Sequence, residues 1–177
     1  ASLRENIMKN PNTIVNRVAK SSLITLNLED YYSQGERVVY DIKDNLYEGI
    51  ALKEKEFRKF VKENDWTIYK NKNVALTCSV DAVIPTWAYM LLTVNISIYA
   101  TRVVWGDLEK LEEALFHDAL SKIDMNEFKD AKVIVKGCGS VPIPTYAYVE
   151  ITRLLMPVAF SIMFGEACSA VPLYKRE

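Results

Sequence analysis

The sequence predicts an α/β or α+β fold in which helices pack on a mixed sheet. After residue 71, short runs rich in branched residues alternate with longer apolar-periodic runs, in the order strand, helix, strand, helix, strand, helix. Before residue 45, one short helical period is followed by two strand-like runs. Half of the 177 residues are hydrophobic and a quarter are charged, which is typical of a globular chain.

The N-terminal part of the chain has two sections. Residues 1–12 show no apolar period and end in Asn-Pro-Asn, which predicts a flexible leader. We expect a single globular domain at 13–177, because no later stretch is rich enough in Pro, Gly or Ser to act as a linker. Ile14, Val15 and Val18 are spaced for a short amphipathic helix at the start of that domain.

Two strand-like runs and a helical run come next. Residues 23–28 alternate Leu with other residues, residues 37–42 are rich in Val and Tyr, and a Ser-Gln-Gly turn signal lies between them. This arrangement predicts an antiparallel pair. Apolar residues then recur at helical spacing among charged residues across 52–64, which predicts a surface helix.

The second part of the chain alternates strands and helices. The predicted strands lie at 74–77, 102–105 and 132–135, and the predicted helices begin near Thr86, Asp107 and Thr145. This order favours a parallel or mixed sheet covered by helices. Ligands of such sheets gather beyond the carboxyl ends of the strands, so we expect the functional residues there.

All three cysteines lie in small-residue turns that end at a proline. Cys78 precedes Pro85 by seven residues and Cys138 precedes Pro144 by six, and each proline belongs to the sequence Ile-Pro-Thr, an aromatic residue, Ala-Tyr. This is an internal repeat of a strand, a cysteine turn and a helix. Cys168 begins Cys-Ser-Ala-Val-Pro, which matches the Cys-Gly-Ser-Val-Pro of the second repeat. If the repeats are neighbours in one sheet, the three thiols converge at one edge.

Three convergent thiolates predict a metal site for zinc or iron. A tetrahedral zinc site needs a fourth ligand, and Asp81 and Glu166 are the nearest side chains to supply it; a backbone group, water or a partner protein are the alternatives. The helix that follows the turn places its N-terminus near the thiol, which favours the thiolate form. The site residues predicted from sequence are Cys78, Cys138, Cys168, Asp81 and Glu166, with no catalytic residue among them, so a non-enzymatic role is favoured.

Two other functions stay open on the sequence alone. In the first, the cysteines are buried structural thiols of an interaction module. That module would bind a protein partner through a tyrosine-rich surface comprising Tyr31, Tyr32, Tyr40 and Tyr47. In the second, Cys138 or Cys168 is the nucleophile of a cysteine-dependent transferase, although His117 is the lone histidine and belongs to the flank of a predicted helix. The oligomeric state is open between a monomer and a homodimer.

Composition excludes several other classes. The chain has 22 Lys and Arg against 23 Asp and Glu, a formal net charge of −1, which argues against a nucleic-acid partner. The uncharged stretch between Asp81 and Arg102 is interrupted by Pro85, and this predicts a helix in the protein core rather than a membrane span. Three cysteines and no secretory signal pattern favour the cytoplasm.

Six segments carry a resemblance to a known family. They are IVNRVA at 14–19, LEDYY at 28–32, IKDNLYEG at 42–49, ALTCS at 75–79, WAYMLL at 87–92 and FGEACS at 164–169. Over nearly the whole chain from Thr13, the sequence resembles the bacterial family called domain of unknown function 2480, found mainly in Bacteroidetes. The resemblance implies no activity or catalytic residue. It does imply an association with the sulfur-mobilisation proteins that build iron–sulfur clusters, and it makes them candidate partners.

Overall fold

The structure, a computed structural model, describes residues 22–137 and 139–177. The strands are β1 (Leu23–Asn27), β2 (Arg37–Asp41), β3 (Asn73–Thr77), β4 (Arg102–Trp105), β5 (Lys132–Lys136), β6 (Ser161–Phe164) and β7 (Val171–Lys175). The helices are α1 (Glu54–Glu63), α2 (Thr86–Ile96), α3 (Leu108–Leu120) and α4 (Thr145–Leu155). The predicted α/β class is therefore confirmed. The predicted leader and the short helix that follows it lie outside the described residues.

The strands form two sheets. One has the order β2-β3-β4 and is parallel throughout, and the other has the order β1-β5-β6-β7, in which only β7 is antiparallel. The predicted β1–β2 hairpin is wrong, because β1 pairs with β5 and β2 pairs with β3. Each of the two strands runs into its own capped 3₁₀ turn, with Asn27 accepting the N–H of Glu29 and Asp41 that of Lys43. These turns bury Leu28 and Ile42 completely and lead the chain away from a hairpin.

Both sheets are built on one unit that recurs after 59 residues. β3 begins at 73 and β5 at 132, α2 at 86 and α4 at 145, and β4 at 102 and β6 at 161, so each pair differs by 59. Buried core residues recur at the same spacing, as in Val74 and Val133 or Ala88 and Ala147. At this spacing Cys78 corresponds to Gly137, so the cysteines do not occupy equivalent positions.

The helices form layers around the two sheets. α1 and α2 cover one face of the three-stranded sheet. α3 covers the opposite face through Leu111 and Leu115, and its other side contributes Phe116 and Leu120 to the core that α4 forms on the four-stranded sheet. Helix α3 therefore lies between the two sheets and belongs to both cores.

The two C-terminal strands are absent from the sequence prediction. β6 is only four residues long, and β7 contains Pro172, which cannot donate a backbone hydrogen bond. Proline is tolerated there because β7 is an edge strand. Within the described residues, none of the helices has the length and apolar character needed to cross a membrane.

Candidate functional site at the carboxyl edges of the sheets

The two described cysteines belong to different sheets. Cys78 follows β3, is half-buried, and donates its S–H to the carbonyl oxygen of Val80 at 3.4 Å. Cys168 is exposed in the loop between β6 and β7, and Cys138 lies outside the described residues. Asp81 is exposed in the loop after Cys78. No group of three or more His, Cys, Asp or Glu side chains that could hold a metal ion occurs among the residues that the structure describes.

A cavity of about 240 Å³ opens at the carboxyl edge of the four-stranded sheet. It lies where three parallel strands, β1, β5 and β6, end together, which is the position where ligands of such sheets bind. The lining residues are Asn27, Glu29, Lys136, Gly137, Phe164, Gly165 and Glu166. Among the residues that the structure describes, Glu166 is the predicted site residue that lines this cavity.

Charged side chains tie the loops of this edge together. Lys136 Nζ at the end of β5 lies 2.8 Å from Glu166 Oε1 in the loop after β6, and the hydrogen bond to this carboxylate raises the pKa of Lys136. Glu29 Oε1 accepts the backbone N–H of Ser140 at 3.0 Å. Two carboxylates and one ammonium group therefore meet at the cavity, and the local excess of negative charge favours a cation.

Tyr148 of α4 holds the start of the loop that follows β5. Its hydroxyl donates to the carbonyl oxygen of Gly137, and its ring packs edge-on against Phe164 with the centroids 5.8 Å apart. A Cβ atom at Gly137 would lie 2.6 Å from the Tyr148 hydroxyl oxygen, so only glycine permits this approach. Tyr89 packs against Trp105 in the same edge-on way in the first unit, with the centroids 6.5 Å apart.

Asp41 organises the corresponding edge of the three-stranded sheet. Its Oδ1 accepts the backbone N–H of Lys43 and, across the sheet edge, that of Ser79, each at 3.1 Å. Partial burial raises the pKa of Asp41, but the hydrogen bonds from Ser79 and Lys43 outweigh it and bring the pKa down from 3.8 to about 2. The carboxylate form thus connects the end of β2 to the turn that carries Cys78.

Asp41→Asn is expected to remove part of the acid sensitivity of the protein. A carboxyl group with a lowered folded-state pKa stabilises the fold above its unfolded pKa, and this stabilisation is lost as the pH falls from about 4 to about 2. Because solvent screens a carboxylate near the surface, the stabilisation is expected to be no more than about 1 kcal/mol. Asparagine keeps an acceptor oxygen, as Asn27 does at the end of β1. Urea unfolding of the wild type and the variant across this pH range checks the prediction. If the free energy of unfolding falls equally with pH in both proteins, the prediction is contradicted.

The four tyrosines of the predicted interaction surface differ in exposure: Tyr47 is 45% exposed, Tyr31 and Tyr32 are half-buried, and Tyr40 is buried. Tyr40 is buried, its hydroxyl donates to Asn45 Oδ1 at 2.6 Å, and burial strongly raises its pKa, so the predicted tyrosine-rich surface is wrong at this residue. Tyr31 and Tyr32 pack against the core of the other sheet. His117 lies on α3 with its Nδ1 2.8 Å from the hydroxyl oxygen of Tyr146.

One surface was not predicted from the sequence. The uncharged stretch was interpreted as a core helix, and Ala88, Leu92 and Ile96 of α2 are indeed fully buried. Met90 and Val94, however, line an open groove of about 670 Å³ on the outer side of the helix. The signal lies in the sequence itself: α2 is apolar all round, and one sheet covers only one side of a helix.

The comparisons with known proteins identify a family. A family model described as Protein of unknown function (DUF2480) matches residues 12–176. The chain belongs to this family. The resemblance seen in the sequence is therefore confirmed, and the two-sheet fold and its edge cavity describe a DUF2480 protein. The search of curated proteins and the search of solved structures gave no match.

Proposed function

We propose that this DUF2480 protein is a non-enzymatic metal-binding protein that holds zinc or iron at the carboxyl edge of the four-stranded sheet. Its ligands would be the thiolates of Cys138 and Cys168 and the carboxylates of Glu166 and Glu29. Thiolates suit zinc and iron, and carboxylates complete the shell of an open site.

The 2.8 Å contact between Lys136 and Glu166 is the observation that supports this site. Each of these two residues precedes a cysteine by two positions, Cys138 in one case and Cys168 in the other. The ion pair therefore brings the chain segments that lead to the two cysteines next to each other. Strands β5 and β6 are also parallel neighbours, so both segments leave the sheet at the same edge.

Glu29 adds a third segment to the same edge. Its carboxylate comes from the turn after β1 and accepts the N–H of Ser140, two residues beyond Cys138. Cys78 and Asp81 follow a strand of the other sheet and are therefore not assigned to the site. Four ligands from three segments would make the metal a cross-link at the end of the sheet.

The exposure of Cys168 suits transfer rather than permanent storage. A metal ion held by an exposed thiolate is open to attack by a thiol of another protein, whereas closed structural zinc sites are shielded. Taken with the association that the family resemblance implies, this favours a role as an accessory in iron–sulfur cluster assembly, with assembly proteins as the partners.

Cys138→Ser and Cys168→Ser are each expected to abolish metal binding, since a serine hydroxyl does not replace a thiolate at neutral pH. The measurement is the zinc and iron content of untagged protein purified without oxygen or chelator, by mass spectrometry, together with the visible absorption spectrum. Cys78→Ser is the matched control and is expected to keep the metal. Metal-free wild type would sink the proposal, and so would a Cys168→Ser variant that is fully loaded.

A further inference from the structure

Helix α2 and the turn that follows it expose an apolar stripe at the edge of the three-stranded sheet. Met90, Val94 and Ile98 recur every fourth residue and are 64%, 65% and 69% exposed. Trp105, at the end of β4, is 71% exposed and lines the same groove as Met90 and Val94. No charged residue lies between Asp81 and Arg102. Apolar side chains at these exposures on one surface mark an interface.

The strand beside this stripe has an unpaired edge. Within the described residues, β4 pairs with β3 only, whereas its counterpart β6 pairs with β5 on one side and with antiparallel β7 on the other. The two units otherwise correspond, down to the edge-on aromatic pairs at this end of the sheet. The C-terminal strand thus completes the second unit, and the edge of the first stays open to an antiparallel strand.

We infer that a second copy of this chain closes that edge. The two β4 strands would pair antiparallel around a two-fold axis perpendicular to the sheet, which extends three strands to a continuous sheet of six. Rotation about such an axis reverses the strand direction and keeps each face of the sheet on its own side. Helix α2 therefore meets α2 of the other copy, stripe against stripe.

The charge of the surface favours a second copy over a different partner. A two-fold interface places a surface against itself, so any net charge on it meets the same charge and repels it. The stripe carries no charge, and the one charged residue of β4, Arg102, is already paired with Asp118 at 2.8 Å, so the surface offers an opposite-charge partner little to recognise.

The available area also suits a dimer. The four exposed side chains are Met90, Val94, Ile98 and Trp105. Their combined apolar area is comparable to that of the largest apolar patches of monomers, on the order of 600 Å². A stable complex buries about 800 Å² on each partner. Pairing of the β4 backbones supplies the remainder, and the exposed Trp105 provides an aromatic anchor.

Met90→Glu tests the inference, with Val149→Glu as the matched control. Val149 lies on α4, 59 residues after Met90, and is 65% exposed. It is the equivalent residue of the second unit, in which the edge of β6 is already covered by β7. We expect the wild type and Val149→Glu to sediment as dimers. Met90→Glu is expected to weaken the dimer at least about a hundredfold, because a buried interfacial charge repels its copy. Circular dichroism melting confirms that both variants are folded.

Hydrogen exchange distinguishes strand pairing from helix contact alone. The amides of β4 that face the open edge are expected to be protected in the wild-type dimer and to exchange faster in Met90→Glu. A wild-type protein that stays monomeric at hundred-micromolar concentration overturns the inference. In that case residues 1–21, another protein or solvent would cover the stripe instead of a second copy. A dimer that Met90→Glu leaves intact, or one with rapidly exchanging β4 amides, also overturns it.

Discussion

Phe116→Ala is expected to lower the free energy of unfolding by about 3–5 kcal/mol, the cost of removing a fully buried aromatic side chain and leaving a cavity. Phe116 is 1% exposed and belongs to the core of the four-stranded sheet. Its ring centroid lies 6.4 Å from that of Tyr32. Its helix, α3, also covers the other sheet. A shift of α3 toward the cavity therefore disturbs both cores.

Equilibrium urea unfolding measures this effect. Leu108→Ala on the same helix is the control, because Leu108 is 45% exposed and its truncation is expected to change stability by less than about 0.5 kcal/mol. A loss below about 1 kcal/mol for Phe116→Ala would contradict the prediction.

Glu112→Ala is expected to destabilise the protein by about 3 kcal/mol, because it leaves the charge of Arg37 without its partner in a largely buried place. Arg37 Nε lies 2.5 Å from Glu112 Oε1, and the two side chains are 13% and 14% exposed. A second contact joins Arg37 Nη2 to Glu112 Oε2 at 3.2 Å, and the guanidinium lies over the ring of Tyr32, 4.2 Å from its centroid. This two-pronged pair connects β2 to α3.

A double-mutant cycle built from Arg37→Met, Glu112→Leu and the double variant separates the ion pair from the cost of an unpaired charge. The double variant Arg37→Met with Glu112→Leu is expected to regain most of the lost stability, since apolar side chains of similar size remove both charges together. Single variants within about 0.5 kcal/mol of the wild type would mean that solvent screens the pair. An exposed ion pair such as that of Arg58 and Glu54, with both side chains more than half exposed, serves as the weak reference.

Local elements could be predicted from the sequence because their signals are local. The strand at 102–105 was predicted with the bounds that the structure has, and helices α2 and α4 begin at the predicted threonines. A run of Val and an aromatic residue favours a strand wherever it lies, and a proline before a helix sets the backbone at its start. The failed hairpin shows the limit, since β1 pairs with β5, more than a hundred residues away in the chain.

The candidate site divides in the same way. The cysteine turns and Glu166 are visible in the sequence, because small residues, proline and a repeated hexapeptide are local patterns. The sheet to which each turn belongs is not a local property. Cys78 follows a strand of the three-stranded sheet, whereas Cys168 follows a strand of the four-stranded sheet. The prediction that all three cysteines share one edge assumed a single sheet, and the structure has two. Glu29 was not predicted as a site residue because only parallel pairing of β1 with β5 brings it to this edge.

By itself, the sequence determined the α/β class, the positions of most helices and strands, and the family. Only the tertiary structure decided that there are two sheets, that α3 belongs to both cores, and that one face of α2 stays exposed. Helix and strand propensities act over a few residues, whereas strand partners depend on which distant surfaces bury the most apolar area together. Such burial is a property of the whole chain, so the sheet edge to which each loop belongs is decided only by the complete tertiary structure.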